Sequence, residues 1–231
     1  MARAQYPMSI STSKAPRTPG FSRTVLKRLM LSGLLLALST VLAWLLTATR
    51  VIDLGEADTV TQSKLSAEWE RGNLVLMIRH AERCDRSTNP CLGSADGITF
   101  NGSQTATAVG VGLQRLGLQQ AQLIASPLTR TRQTAEFILG QVVPTQSWVE
   151  DCNSGFKDAV LAHKKAHENL VLITHSGCID QFQRKLGVRA GQRDSAYTQA
   201  FFVKVDGKQA PRILGSLDAM DWGKLPDLQA R

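Results

Sequence analysis

The chain has 231 residues, enough for one domain with a sizeable core and some further sequence. Its formal net charge is +8, but the first 50 residues contain seven basic side chains and no acidic one, whereas the remainder contains 20 basic and 19 acidic side chains. A nucleic-acid-binding domain carries its basic residues on the fold itself. The charge distribution therefore excludes nucleic acid as an expected partner.

The N-terminal region has the composition of a membrane-targeting segment. Residues 1–22 are rich in Ser, Thr, Pro and Arg, and they are predicted to form a disordered, basic cytoplasmic tail. Residues 23–50 contain an uncharged, Leu-rich stretch, which has about the length of a helix that crosses a bilayer. Because basic residues precede it, the rest of the chain is expected beyond the inner membrane. Residues 23–50 are thus predicted to be a transmembrane signal anchor, with a cleaved signal peptide as the alternative.

Four cysteines follow this segment: Cys84, Cys91, Cys152 and Cys178. Export to an oxidising compartment would permit disulfides between them. A bridge between Cys84 and Cys91, which flank a short polar loop, would leave Cys152 and Cys178 to pair. Four cysteines allow three connectivities, however, and the spacing does not choose among them. A zinc site is the weaker alternative, because the sequence contains no Cys-x-x-Cys.

The rest of the chain alternates between strand and helix patterns. Residues 51–73 are predicted to be a linker with a short amphipathic helix. Strands are then predicted at residues 74–78, 122–125, 147–149 and 170–174, and helices at residues 101–116, 128–139, 154–167 and 176–186. Two more strands, at residues 200–205 and 212–217, surround an Asp-Gly pair that is typical of a hairpin. The pattern predicts a three-layer α/β domain over residues 74–217, with a mostly parallel sheet flanked by helices, and an irregular tail at residues 218–231.

Polar side chains follow three of these strands where each strand ends. The first strand leads into Arg79-His80-Ala81-Glu82-Arg83, the second into Ser-Pro-Leu-Thr-Arg130, and the third into Thr-His175-Ser-Gly. The carboxyl ends of parallel strands meet at one edge of a sheet. Arginine forks match phosphate oxygens, and histidine is a nucleophile or proton carrier near neutral pH. The sequence therefore predicts a phosphoryl-transfer site at this edge.

The three motifs, in this order and spacing, resemble the histidine phosphatase superfamily, which is also called phosphoglycerate mutase-like. The resemblance covers roughly residues 74–205. It implies that His80 is the nucleophile and becomes phosphohistidine, and that Arg79, Arg130 and His175 form the phosphate pocket. Arg83 and Glu82 are further candidates for contact with the substrate. The chemistry implied by the family needs no metal and no cofactor, so neither is expected.

A longer pattern adds a more specific resemblance. Arg-His-Ala-Glu-Arg-Cys-Asp-Arg-Ser, followed by Cys-Leu and Gly-Ile-Thr, is similar to exported phosphatases that act on a heptose phosphate of the lipopolysaccharide core. This resemblance implies a periplasmic phosphomonoesterase whose substrate is a phosphorylated glycolipid or sugar phosphate. Two alternatives stay open. One is an exported phosphatase for another phosphomonoester, and the other is a phosphosugar- or glycolipid-binding module on the same fold without turnover.

Hydrolysis of a phosphomonoester also needs an acid that protonates the leaving oxygen. Asp151 is the first candidate, because it aligns with an aspartate of the more specific pattern. Its neighbour Glu150 is the second candidate, and Glu82, which lies beside the expected pocket, is the third.

Overall fold

The computed structural model describes residues 22–47, 49–56 and 59–225. Residues 1–21 of the predicted cytoplasmic tail and the last six residues of the predicted C-terminal tail lie outside the described residues. The chain separates into two compact units, one that ends at Thr47 and one that follows it.

The first unit contains a single described helix, α1 (Arg23–Thr47). Its segment Arg23–Ala43 is long and apolar enough to cross a membrane, and its leucine side chains are exposed on every side. The expected apolar helix is therefore present as a candidate span. A signal sequence has the same length and composition, so the choice between anchor and signal peptide stays a prediction.

The second unit is built on a five-stranded sheet. Its strands are β1 (Leu74–Arg79), β2 (Ala121–Ala125), β3 (Asn169–Thr174), β4 (Ala200–Lys204) and β5 (Arg212–Leu217). The spatial order is β2-β3-β1-β4-β5. Strands β1, β2 and β3 are parallel, whereas β4 runs antiparallel to both β1 and β5. Among the described residues, the sheet is thus mixed, with two parallel and two antiparallel pairings, and the predicted terminal hairpin is confirmed.

Helices cover both faces of the sheet. They are α2 (Thr59–Ser63), α3 (Leu65–Glu70), α4 (Phe100–Leu116), α5 (Thr129–Leu139), α6 (Phe156–His163) and α7 (Ser176–Lys185). Side chains of β1 alternate between the faces: Leu76 and Ile78 belong to the core formed with α4 and α5, and Val75 and Met77 to the core formed with α6 and α7. A strand that is buried on both faces reads as a continuous apolar run, which explains the pattern of β1 and confirms the three-layer prediction.

Two predicted elements are wrong in the region between β2 and β3. Ser147–Val149, which was predicted as a strand, forms a 3₁₀ turn, and the bridge to β2 is made earlier, between Thr145 and Ala125. The helix predicted at residues 154–167 ends at His163, because Lys164 leaves the helical region with ψ 111°. The pattern of apolar residues does not indicate the 3₁₀ turn or the early end of the helix.

The described part of the predicted linker packs against the sheet. Leu54 is buried, and its amide donates to the Ser216 carbonyl in β5 at 2.8 Å. Further along, Leu65 and Trp69 of α3 are buried in the core on the α4 side. These residues therefore contribute to the stability of the domain, whereas the domain boundaries themselves stay a prediction.

Candidate active site

The two candidate histidines lie at the same edge of the sheet. His80 follows β1 and His175 follows β3, and these strands pair in register up to Arg79 and Thr174. The imidazole centroids are 5.4 Å apart, and both side chains are buried. The convergence that the sequence predicted from the strand ends is thus seen for these two residues.

The contacts of His80 fix which of its ring nitrogens is free. Its Nδ1 lies 2.9 Å from the Ala81 carbonyl, and because a carbonyl oxygen only accepts, Nδ1 carries the hydrogen. Nε2 therefore keeps its lone pair. Burial lowers the pKa of His80 to about 3, although the Ala81 hydrogen bond acts in the opposite direction. The ring is neutral at physiological pH, which is the protonation state that a nucleophile requires.

His175 is held from both sides by hydrogen bonds. Arg130 Nη2 lies 3.5 Å from His175 Nδ1, and since a guanidinium only donates, Nδ1 accepts. Nε2 then carries the hydrogen and donates to Ser126 Oγ at 2.9 Å. Burial lowers the pKa of His175 to about 4, and the nearby arginines lower it further. Ser126, which no sequence argument assigned a role, therefore orients this imidazole.

The two pocket arginines have hydrogen-bond donors to spare. The Nε atoms of Arg79 and Arg130 are buried and have no hydrogen-bond partner in the described part of the chain. The guanidinium of Arg79 stacks over the Tyr197 ring, with Cζ 4.0 Å from the ring centroid, and donates to the Ser195 carbonyl. Buried, unpaired donors on cations are costly unless an anion satisfies them. The arrangement therefore favours an anion beside His80.

Arg83 is placed near this pocket but is engaged with a partner. Its guanidinium forms an ion pair with Asp85, which raises the pKa of Arg83. The positive charge of Arg83 still acts on the pocket. Burial is the largest cause of the lowered pKa values of Arg130 and His175, and the charge of Arg83 lowers both values further. Arg83 thus adds positive potential there, and direct contact with a substrate stays a prediction.

Glu82 points into a network of donors. Its carboxylate accepts hydrogen bonds from Thr99 at 2.6 Å, from Asn89 at 3.0 and 3.2 Å, and from Ser87 at 3.0 Å. These bonds, with those of Thr99 and Asn89 the largest, lower the pKa of Glu82. A carboxylate that is stabilised in its charged form is a poor proton donor. The geometry therefore argues against Glu82 as the acid and for a role in fixing the surrounding loop.

The remaining two acid candidates are neighbours with different surroundings. Asp151 is exposed, and both of its carboxylate oxygens accept from Asn153 at 2.8 Å. Glu150 is half-buried and follows Val149. The Val149 carbonyl accepts a hydrogen bond of 2.7 Å from Oγ1 of Thr174, the residue that precedes His175. Burial and Arg83 lower the pKa of Arg130, whereas carboxylates that include Glu150 act in the opposite direction. The charge of the half-buried Glu150 thus acts on Arg130, and the choice between Glu150 and Asp151 as the acid stays a prediction.

The start of β4 also contributes to the site. Because β4 runs antiparallel to β1, the residues before it reach the edge where β1 ends, and the Thr198 amide donates to the Arg79 carbonyl at 3.1 Å. Tyr197 then lies 5.7 Å from the His80 ring, measured between centroids. No motif in the sequence points to Tyr197, because the hairpin pattern does not indicate which strand β4 joins.

Two disulfides cross-link the loops around the pocket. Cys84–Cys91 closes the loop that follows Arg83, and Cys152–Cys178 joins the segment after Glu150 to the first turn of α7. This is the pairing expected if Cys84 and Cys91 bridge across the polar loop. The first bridge directly follows Arg83, and the second begins two residues after Glu150.

Comparisons with known proteins agree with this geometry. Residues 75–153 match the family described as the histidine phosphatase superfamily (branch 1). A protein of Salmonella newport, named lipopolysaccharide core heptose(II)-phosphate phosphatase, is 36% identical over 129 residues, which cover 54% of this chain and 64% of that relative. The protein of the same name from Salmonella arizonae is 34% identical over 134 residues, which cover 56% of this chain and 66% of the relative. The chain thus spans slightly less than two thirds of the length of these relatives.

Solved structures share the fold at low sequence identity. The protein histidine phosphatase SixA in complex with tungstate aligns with a TM-score of 0.51 at 14% identity, covering 64% of this chain and 98% of SixA. A variant phosphoserine phosphatase from Entamoeba histolytica in complex with phosphoserine aligns with a TM-score of 0.50 at 15% identity, with 64% and 98% coverage. These likenesses establish the α/β architecture around the site.

Proposed function

We propose that the protein is a phosphomonoesterase that acts through a phosphohistidine at His80, and the match of residues 75–153 to the histidine phosphatase superfamily (branch 1) supports this. The observation that carries the proposal is a buried, neutral imidazole with a free Nε2, next to two arginines whose buried Nε donors are unsatisfied. A phosphate monoester would satisfy those donors and place its phosphorus within reach of the nucleophile.

In the first half-reaction, His80 Nε2 attacks phosphorus, and the bond between phosphorus and the leaving oxygen breaks. Arg79 and Arg130 stabilise the charge that develops on the equatorial oxygens. The His175 ring lies 5.4 Å from the His80 ring, and its orientation is fixed by Ser126 and Arg130. The carboxylic acid of Glu150 gives its proton to the leaving alcohol.

In the second half-reaction, a water molecule attacks the phosphorus of phosphohistidine. The Glu150 carboxylate accepts the proton of this water, the bond from His80 to phosphorus breaks, and inorganic phosphate leaves. Glu150 is then protonated and His80 neutral, so both groups return to their starting states. The pocket arginines act in both steps, because the charge on the phosphoryl oxygens develops in the same place.

The proposed substrate is a heptose phosphate of the lipopolysaccharide core. Its phosphate would be removed on the periplasmic side of the inner membrane. Support comes from the two Salmonella relatives that carry this name. The apolar helix α1 would anchor the domain to the membrane, and the two disulfides suit an oxidising compartment. An exported phosphatase for a different phosphomonoester is the second candidate, because the phosphate pocket itself carries no sugar specificity.

The test uses the full chain in detergent with 4-nitrophenyl phosphate and with heptose-phosphorylated core oligosaccharide. His80→Ala should lower the rate of phosphate release by a factor of about 10³ or more. It should also prevent acid-labile phosphorylation of the protein. A matched control, His167→Asn, removes an exposed imidazole that lies beyond α6, and Asn tolerates the left-handed φ of 59° found there.

Unchanged turnover in His80→Ala would overturn the mechanism. If the wild-type protein instead bound the phosphorylated oligosaccharide without releasing phosphate, the binding-module alternative would replace the enzyme. Circular dichroism of both variants excludes unfolding as the cause of a lost activity.

A further inference from the structure

A second cavity lies beside the nucleophile. It has a volume of about 370 Å³ and is lined by Glu82, Asn89, Asn101, Thr105, Tyr197 and Thr198, among others. Tyr197 is common to the cavity and the catalytic pocket, because its ring contacts both the His80 ring and the Arg79 guanidinium. A group attached to a phosphate on His80 would therefore lie next to the Tyr197 ring that borders this cavity.

The walls of the cavity offer uncommitted hydrogen-bonding groups. Within the described part of the chain, the backbone carbonyls of Asn101 and Tyr197 accept hydrogen bonds from Thr105 and Thr198, which leaves the exposed Asn101 amide and the half-buried Tyr197 hydroxyl available to a ligand. Asn89 uses its amide nitrogen on Glu82, which leaves its side-chain oxygen free, and Thr105 donates to a backbone carbonyl and can still accept. Amides and hydroxyls that both donate and accept are suited to a ligand with several hydroxyl groups.

The charge of the cavity selects against a second anion. Among the described residues that line it, none is a lysine, an arginine or a histidine. Glu82 is held as a carboxylate by hydrogen bonds from Thr99, Asn89 and Ser87, which lower its pKa. A carboxylate or phosphate on the leaving group would face this charge and be repelled. The cavity therefore favours a neutral group.

The cavity is also rigidly built. Thr198 is fully buried and has a φ of 58°, a conformation that is costly for a β-branched residue and that concentrates at functional sites. Its amide donates to the Arg79 carbonyl, which holds Tyr197 over the pocket. On the other side, Asn89 lies inside the loop closed by Cys84–Cys91 and is tied to Glu82. A preformed wall loses little conformational entropy when a ligand binds.

We propose that this cavity, defined by Asn89, Asn101, Thr105 and Tyr197, is the subsite for the neutral, hydroxyl-rich sugar that carries the phosphate. The proposal rests on the proposed function and adds the residues that recognise the leaving group. Asn101 and Tyr197 are its specificity-determining residues, since each lines the cavity with an uncharged polar group that can bond a sugar hydroxyl.

The experiment compares two substrates on the full chain in detergent. The first is lipid-free, heptose-phosphorylated core oligosaccharide, and the second is 4-nitrophenyl phosphate, whose leaving group has no hydroxyl. Asn101→Ala should raise KM for the oligosaccharide about fivefold, the effect of one lost hydrogen bond, and leave KM for the aryl phosphate within about twofold. Asn101→Ala combined with Tyr197→Phe should raise it about 20-fold. Gln104→Ala, exposed on the same helix outside the cavity, is the control and should change neither KM.

A calorimetric measurement separates this proposal from the proposed function. Binding of the phosphorylated oligosaccharide to His80→Ala, with and without Asn101→Ala, requires no turnover. Weaker binding in the double variant supports the subsite even if the wild-type protein hydrolyses nothing. Equal effects of Asn101→Ala on both substrates, or equal oligosaccharide binding with and without Asn101, would overturn the subsite and leave the phosphatase mechanism untouched.

Discussion

At the scale of single residues, the acid that we propose, Glu150, differs from Asp151, the first candidate of the sequence. Asp151 was favoured by its alignment with a related pattern, but its carboxylate is exposed and bonded to Asn153. Glu150 follows a carbonyl that is bonded to Thr174, directly before His175, and its charge acts on Arg130. One position along the chain thus separates the carboxylate that we propose as the acid from its exposed neighbour, a distinction that motif spacing does not resolve.

This assignment predicts a leaving-group effect. Glu150→Gln should lower kcat by a factor of about 10² to 10⁴ for a sugar phosphate, whose alkoxide needs a proton as it leaves. The same variant should retain most of the rate of the first half-reaction with 4-nitrophenyl phosphate, because nitrophenolate leaves without protonation, although hydrolysis of the phosphohistidine still needs Glu150. Pre-steady-state release of the first equivalent of alcohol or nitrophenolate measures the ratio of these first-step rates. Asp151→Asn is the matched control, and a leaving-group effect that appears in Asp151→Asn and not in Glu150→Gln would reverse the assignment.

The residues around the nucleophile differ in how far the sequence could predict them. His80, Arg79 and His175 come directly after apolar runs, so strand periodicity placed them at one edge. Ser126 and Thr134 carried no such signal, yet the first holds His175 and the second accepts the Ala81 amide at 2.9 Å. Hydroxyls that bond locally look the same in sequence whether they cap a helix or support a site.

At the scale of elements, the sequence predicted the strands of the sheet and the crossover helices well and the irregular segments poorly. Buried strands have a composition that sets them apart, whereas the 3₁₀ turn Ser147–Val149 depends on tertiary contacts of its flanks. The order of the strands was also not predicted, because the β4–β5 hairpin pattern is local and says nothing about its partner β1. The sequence therefore did not predict that the loop residues before β4 contribute to the site.

The Cys152–Cys178 disulfide makes a prediction for these elements. It ties the segment that follows Glu150 to α7 and closes a sequence separation of 26 residues, whereas Cys84–Cys91 closes a separation of 7. On loop-closure entropy, Cys152→Ser with Cys178→Ser should lower the free energy of unfolding by about 3.5 kcal/mol, and Cys84→Ser with Cys91→Ser by about 2.5 kcal/mol. Urea unfolding of both double variants, followed by tryptophan fluorescence, gives the two values.

The same variants separate stability from catalysis. Loss of the Cys152–Cys178 tether should also slow formation of phosphohistidine from the sugar phosphate more than from 4-nitrophenyl phosphate, because it frees the segment that carries the proposed acid. If both double variants slowed this step for the two substrates to the same extent, the disulfide would have only a structural role.

At the scale of the whole molecule, the candidate site gathers polar groups at one edge of a stable sheet. The cost of burying two imidazoles and the Nε atoms of two half-buried arginines is offset by the apolar cores on both faces, in which the strands β1 and β3 are buried. The neutral histidines make this cost depend on pH. Folding holds the pKa of His80 at about 3, well below that of an unfolded histidine near 6.5, because burial disfavours the charged ring.

Acid should therefore destabilise the whole domain. Below about pH 6.5 the unfolded chain binds a proton at His80 that the folded chain does not, so the free energy of unfolding falls as the pH falls towards 3. At pH 5 the loss from His80 is about 2 kcal/mol relative to pH 7.5. His80→Gln cannot titrate there, and its unfolding free energy should fall by about 2 kcal/mol less over this interval; His175→Gln should behave similarly, since the pKa of His175 is lowered to about 4. Parallel pH profiles for wild type and His80→Gln in urea unfolding would contradict the buried, neutral state on which the nucleophile depends.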